Sequence, residues 1–238
     1  ALAPMSEWND LAFVSLAREY GADLIFLGLV SAEGLARKNL KTRSLLRYTE
    51  RARPIFAQIF GSDPQSMGEA AKIVEDMGFD GLDINAGCPV SKVTRTGSGA
   101  ALMENLKNAQ DVVKSVRKAV KIPVTIKMRL GPTGAEHLKL AAIAEEEGLD
   151  AVILHPRTPR QGYSGKADWT KVAELKAVLS IPVFASGDVR DGVSFLEVLQ
   201  STGCDGVLIG RGALGNPWIF RECRYALARR EFAGVKLE

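Results

Sequence analysis

The chain has 238 residues, 46% hydrophobic and 25% charged, with a formal net charge of +3, the composition of an ordinary globular protein with one large domain or two small ones. Its apolar run Leu24 to Val30 is far too short to cross a bilayer, and no charged segment precedes an apolar one at the start, which argues against a signal peptide and a membrane partner. Three cysteines without CxxC or HxxxH spacing argue against a disulfide framework or a metal site, so a reduced, cytoplasmic protein is expected.

In chain order, "ALAPM" reads as a short first strand near 1–5, and "GADLIF" at Gly21 leads into a second near 24–29. Residues 36–53 then hold seven Lys/Arg (37, 38, 41, 43, 47, 51, 53) against one acid, Glu50. That segment is either a solvated helix face or a local phosphate-attracting patch for nucleic acid. "RPIFAQIF" gives a third strand near 55–59 and "GFDGLDI" a fourth near 81–85. "KIPVTIKM", "GLDAVIL", "SIPVFAS" and "GCDGVLI" supply four more, near 124–128, 151–155, 183–186 and 206–210.

Two marks recur. Gly-x-Asp opens four of these stretches after a helical pattern, the glycine suiting a left-handed position just past a helix. Proline opens three others, where it stops a helix without breaking a sheet ladder. Eight strands alternating with helices predict a single-domain (β/α)₈ TIM barrel over 1–238.

In such a barrel the chemistry belongs at the C-terminal strand ends. Those ends carry Pro4-Met5-Ser6, Gly28-Leu29, Gln58, Asn85 with Cys88, Lys127 with Arg129, His155 with Arg157, Ser186-Gly187-Asp188, and Gly210-Arg211. "SGD" and "GRGALG" follow strands seven and eight, where backbone N–H groups commonly hold a phosphate. "GRGALG" matches the dinucleotide pattern G-x-G-x-x-G, but it opens the last helix with no following βαβ unit, so a Rossmann reading fails. Lys127, on an otherwise apolar strand, either snorkels to the mouth or faces an electron-rich ligand, and the ligand is favoured. Gln58 offers a donor and an acceptor, as a heterocycle edge requires. His155 ends a strand, whereas His137 is expected on a helix surface. Trp8, Trp169 and Trp218 read as packing residues or lid walls. Cys204 and Cys223 read as inert packing, so any thiol chemistry falls to Cys88, as a low-pKa nucleophile or a proton donor.

"LAPM", "VSAEGL", "QIFGSDP", "DINAGCPVSKV", "GSGAALM", "KMRLG", "HPRTPRQGYSGKADW", "SGDV" and "GCDGVLIGRGALGNPWIF" together resemble the tRNA-dihydrouridine synthases, in order from Leu2 to about Phe220. The resemblance implies an FMN flavoprotein, an oxidoreductase that uses NADPH to reduce the C5=C6 bond of uridines in tRNA. It implies that Cys88 gives a proton to C5 while the flavin delivers hydride to C6. Gln58 and Lys127 would contact the isoalloxazine with His155 against it, above Pro4, Met5 and Ser6. Ser186, Gly187, Asp188, Gly210 and Arg211 would serve the ribityl-phosphate side, and Asn85 and Arg129 would hold the uracil.

The sequence departs from that pattern in places. "APMSEWND" stands where the family commonly has Ala-Pro-Met-Ala-Gly-Val-Thr-Asp, and Gly28-Leu29 stand for Glu-Met. "RLGPTGAEHL" looks shorter than the usual loop and lacks its tryptophan, and the helical tRNA-gripping domain that members usually carry is not expected in these 238 residues. The alternatives are a flavin barrel acting on a free pyrimidine or enone, akin to dihydroorotate dehydrogenase, or a barrel that binds FMN or tRNA without turnover.

Overall fold

The computed structural model describes residues 1–229. The expected domain runs to 238, and its last stretch, 230–238, lies outside the described residues. After α1 (Leu11–Glu19) come β1 (Ile25–Ser31), α2 (Ala32–Ala36), α3 (Leu40–Ser44) and β2 (Ile55–Phe60). Then follow α4 (Pro64–Asp76), β3 (Gly81–Ala86), α5 (Ser91–Thr94), α6 (Leu106–Ala119), β4 (Val124–Met128) and α7 (Glu136–Glu146). The last elements are β5 (Ala151–Leu154), α8 (Thr170–Val178), β6 (Val183–Ser186), α9 (Gly192–Thr202), β7 (Gly206–Leu208) and α10 (Ile219–Leu227).

The seven strands are all parallel and lie in sequence order. The expected first strand, 1–5, is reduced to Leu2, which bridges Ile25 on one side and Ile209 on the other and so closes the ring. Pro4 explains the shortness: it has no N–H to continue the ladder. Four backbone bonds nevertheless hold this short piece, from the N–H groups of Leu2, Ala3, Phe26 and Ile209.

The Gly-x-Asp mark acquires a reason here. Gly21, Gly78, Gly148 and Gly203 all have positive φ, from +64° to +97°, the backbone that ends a helix and turns it into a strand. Two residues on, Asp80, Asp150 and Asp205 accept the first strand N–H groups of Ile55, Val124 and Val183, each at 2.8 Å. Those three residues follow Pro54, Pro123 and Pro182. Each aspartate therefore pins the start of the strand before it, and the two marks are halves of one device repeated around the barrel floor.

Phe26 and Phe56 meet edge to face inside the barrel, 5.3 Å between centroids, with Ile153 and Leu208 beside them. Outside, α7 buries His137, Leu140, Ala141 and Ala144. This corrects the expected surface position of His137, which is 1% exposed. The spacing 137/140/141/144 is the inward stripe of a helix, and His137 belongs to it. Neither ring nitrogen has a partner, and burial lowers its pKa. Cys204 and Cys223 are buried, as expected. Trp218 packs edge-on to Tyr20, while Trp8 stands 60% exposed.

Candidate active site

Inward positions of a strand recur every second residue, and three neighbouring strands put polar side chains there in register. Gln58 of β2 lies opposite Asp83 of β3, which lies opposite Thr125 of β4, and Asn85 lies opposite Lys127. The bonds among them have a fixed direction. The backbone N–H groups of Gly87 and Cys88 donate to Asn85 Oδ1, at 3.2 and 2.9 Å. The Asn85 amide must then donate to Gln58 Oε1, at 2.9 Å, which turns Gln58 Nε2 onto Asp83 Oδ2 at 2.6 Å. Thr125 Oγ1 donates to the other Asp83 oxygen at 2.5 Å. A chain of side chains thus runs from the barrel interior to the Cys88 turn.

Burial pushes the Asp83 carboxyl up, against the opposing pull of Gln58, Thr125 and the Lys127 charge. Burial likewise pulls the Lys127 ammonium down, while the Asp83 and Cys88 side raises it and Arg129 lowers it further. Lys127 keeps part of its length open to the cavity. Asp83 is not among the strand-end residues; its sequence signal is a carboxylate at an inward position of "GLDIN", two residues before Asn85.

A cavity of about 370 Å³ opens at the C-terminal end of the barrel, within the range of cofactor sites. Pro4, Met5, Lys127, His155, Ser186, Gly187, Asp188, Gly210 and Arg211 all line it, as do Tyr163 and Arg190. Gln58, Asn85, Cys88 and Arg129 lie outside its immediate lining, with Cys88 half-buried and the other three buried. Ser6 is exposed and lines a neighbouring groove instead.

Arg129 joins two loops of the mouth. Its Nε donates to Gly87 O at 3.0 Å and its Nη1 to Gly162 O at 2.7 Å. Two guanidiniums lie over the Tyr163 ring, that of Arg129 at 5.5 Å and that of Arg211 at 4.1 Å. Arg157, 1% exposed, donates to both oxygens of Asp188 at 2.8 Å and to the carbonyls of Ser164 and Gly165. Asp188 also accepts the Ala167 N–H at 2.7 Å. Burial alone would raise its pKa, but the Ala167 and Arg157 bonds outweigh that and hold it below the usual range.

Arg157 also fixes the tautomer of His155. A guanidinium only donates, so His155 Nε2, 3.1 Å from Arg157 Nη1, accepts and the proton sits on Nδ1. Burial first, then the charges of Lys127, Arg129, Arg157 and Arg211, lower the His155 pKa to about 2. The ring is therefore a neutral donor in a cationic setting. The unfolded chain binds this proton below about pH 6.5 and the folded chain does not, so stability falls as pH drops through that window. Each pH unit below it should cost about 1.4 kcal/mol from this residue. Urea melts of wild type and His155→Asn between pH 7 and pH 5 check this: the variant should lose about one proton's worth of the slope.

The loops after β6 and β7 touch through Gly212. A Cβ there would run into the Val189 carbonyl oxygen, so only glycine lets the two loops meet. The backbone N–H groups of Gly187, Asp188 and Arg211 have no acceptor within the protein among the described residues, and the Arg190 and Arg211 side chains add charge. Free N–H groups with two cations suit a phosphate, and the apolar Met5, Leu208 and Ile209 suit a ring system. The residues present fit FMN. Gly212→Ala should weaken FMN binding at least about tenfold by forcing the loops apart, read by quenching of flavin fluorescence.

A family model described as dihydrouridine synthase matches residues 1–235. The chain belongs to that family. A probable tRNA-dihydrouridine synthase of Treponema pallidum (strain Nichols) is 40% identical to it, over 99% of this chain and 73% of that protein. The tRNA-dihydrouridine synthase B of Pseudomonas syringae pv. tomato is 39% identical, over 95% of this chain and 68% of its own length. Solved structures share the fold alone. A 2-naphthoyl-CoA reductase complex has a TM-score of 0.69 at 12% identity, over 92% of this chain and 46% of that one. An active chimera of (S)-mandelate dehydrogenase has a TM-score of 0.60 at 18% identity, over 96% of this chain and 72% of that one. Dihydrouridine synthases are oxidoreductases on tRNA uridine, and Cys88 occupies the "GCPV" turn of the motif. Among the described residues no helix is long and apolar enough to cross a membrane, and no group of side chains could hold a metal ion.

Proposed function

We propose that this barrel is a tRNA-dihydrouridine synthase that binds FMN in the cavity and reduces the C5=C6 bond of uridine with electrons from NADPH, in the compartment where tRNA is processed. The observation that carries the reading is the Cys88 turn. Asn85 holds the Cys88 backbone N–H, and the residue stands close enough to Lys127 and Arg129 to enter the electrostatics of both.

Reduced FMN, when bound, supplies hydride to C6 of the uracil. The rest of the reaction falls to the chain's own groups. Hydride arriving at C6 leaves enolate-like charge over C5 and O4, and the Cys88 thiol quenches it by giving its proton to C5. The thiolate left behind regains a proton from solvent. Lys127 and His155 line the cavity, where the Lys127 ammonium and the Nδ1–H of His155 would be donors for an electron-rich ring. Gly187, Asp188 and Arg211 receive the phosphate, and Arg190 adds charge there. Asn85 keeps one amide hydrogen and Arg129 its Nη2 group for the uracil, while Asn85 Oδ1 accepts from the Cys88 turn and the other Arg129 nitrogens donate to the Gly87 and Gly162 carbonyls. Tyr163 closes the outer side.

The test is the visible spectrum of the purified protein, followed by anaerobic NADPH and then unmodified tRNA. A flavin spectrum bleached by NADPH and restored by tRNA is the expected result. Flavin restored by a free pyrimidine but not by tRNA would favour the small-molecule alternative. A protein that takes up FMN and ignores both would be a barrel without turnover, and one that cannot take up FMN would overturn the proposal.

A further inference from the structure

A second groove, of about 510 Å³, runs beside the cavity, and Met5 lines both. It is lined by Ser6, Glu7, Asn9, Asp10 and Leu11, by Gly28 and Leu29, and by Ser44, Leu45 and Arg47. Above Gly28 nothing lies within reach of a Cβ, so the groove is open over that residue. Several of its lining positions, Ser6, Glu7, Asn9, Gly28 and Leu29, fall where the sequence departs from the pattern it resembles. Its shape is set by this chain's own residues.

The surface around the groove has no use in the chemistry described above. Leu11, Leu40 and Leu45 are 42%, 80% and 60% exposed, more apolar surface than a free helix end needs. Next to them Lys38, Lys41, Arg43, Arg47 and Arg51 are exposed, and none has a carboxylate partner among the described residues. In contrast Arg37 pairs with Glu33, and Arg53 with Glu50 and Asp80. Of these cations Arg47 lines the groove and Arg43 lies on α3 just before Ser44 and Leu45, which line it, while the acids Glu7 and Asp10 belong to the Ser6–Leu11 part of the lining. A polyanion would keep to the arginine part of the lining, away from Glu7 and Asp10.

A groove lined by Met5, Leu11, Leu29 and Leu45, with Arg47 in its lining and Arg43 close by in the chain, matches a nucleic-acid strand, with bases and sugars on the apolar part and phosphates on the arginines. We propose that this groove holds the stretch of RNA flanking the uridine that enters the cavity, with Arg43 and Arg47 on its phosphates and Leu45 against a base or ribose. The inference rests on the tRNA reading above and adds to it the surface and the strand's direction of approach.

Labelled unmodified tRNA, titrated with the FMN-loaded protein over a salt series, tests it by fluorescence anisotropy. Replacing both arginines, Arg43→Ala with Arg47→Ala, should weaken binding about tenfold at low salt and flatten the dependence of log K on log salt by about one per arginine. Leu45→Ala should weaken binding severalfold and leave that slope unchanged, because it removes contact and no charge. FMN affinity, read by flavin quenching, should match wild type in all of them. Wild-type tRNA affinity and slope in these variants would overturn the groove while leaving the proposed function standing. A wild-type protein that takes up FMN but does not bind tRNA would overturn both.

Discussion

Cys88→Ala is expected to leave FMN uptake and bleaching by NADPH intact and to slow restoration of the spectrum by tRNA about 10²- to 10⁴-fold. The size follows from the role. A carbanion-like centre at C5 needs a positioned acid, and water at the mouth is a poorer and less well-placed one. The thiol is placed by its backbone: Asn85 Oδ1 takes the Gly87 and Cys88 N–H groups, and the Cys88 carbonyl accepts from Ala100 at 2.9 Å. Asn85→Ala should therefore slow the same step by a smaller factor while Cys88 is still present, since it frees the turn and keeps the acid. Anaerobic stopped-flow absorbance separates the two half-reactions. Equal rates of reoxidation in wild type and Cys88→Ala would remove Cys88 from the chemistry.

Arg157→Ala should destabilise the protein by about 3–5 kcal/mol, since it breaks a buried ion pair by removing one member. For a chain of this length that is a fall in melting temperature of about 10 °C. Arg157 is 1% exposed, and its guanidinium holds Asp188, His155 and the carbonyls of Ser164 and Gly165 together. Without it, the Asp188 carboxylate stays partly buried with only the Ala167 N–H, and the loop over the cavity loses its anchor. FMN affinity should fall with stability, because Asp188 belongs to a loop that lines the cavity proposed to hold it. Adding Asp188→Asn to Arg157→Ala should recover part of the loss, as the stranded charge is then gone. A calorimetric shift below about 2 °C for Arg157→Ala would show that the pair contributes little.

Gly-x-Asp and the strand-opening prolines carried the barrel in the sequence because both are backbone requirements. A positive φ after a helix needs glycine, and a strand start tolerates proline. What the aspartates do was not legible, because each bonds a residue from 22 to 26 positions upstream. Strand one is shorter than the apolar run 1–5 suggests, because Pro4 ends the ladder at Leu2. His137 was misplaced although its spacing with Leu140, Ala141 and Ala144 was readable. At the mouth the strand-end rule found the cavity-lining residues from Pro4 to Arg211 and the Cys88 turn. It did not find Asp83, whose neighbours Gln58 and Thr125 come from other strands, and it gave no role to Tyr163 or to the pairing of Arg157 with Asp188.

The sequence by itself therefore determined the alternation of strands and helices, the strand ends at which side chains gather, and the thiol set apart in a Gly-Cys-Pro turn. These are local: each depends on the backbone preferences of a few adjacent residues or on a two- or four-residue period. Only the tertiary structure decided which polar groups meet, which His155 nitrogen carries the proton, and which cations of the 37–53 segment are left without a partner. Those properties depend on distances between residues far apart in the chain, and on burial, which removes water and so sets how strongly each charge is felt.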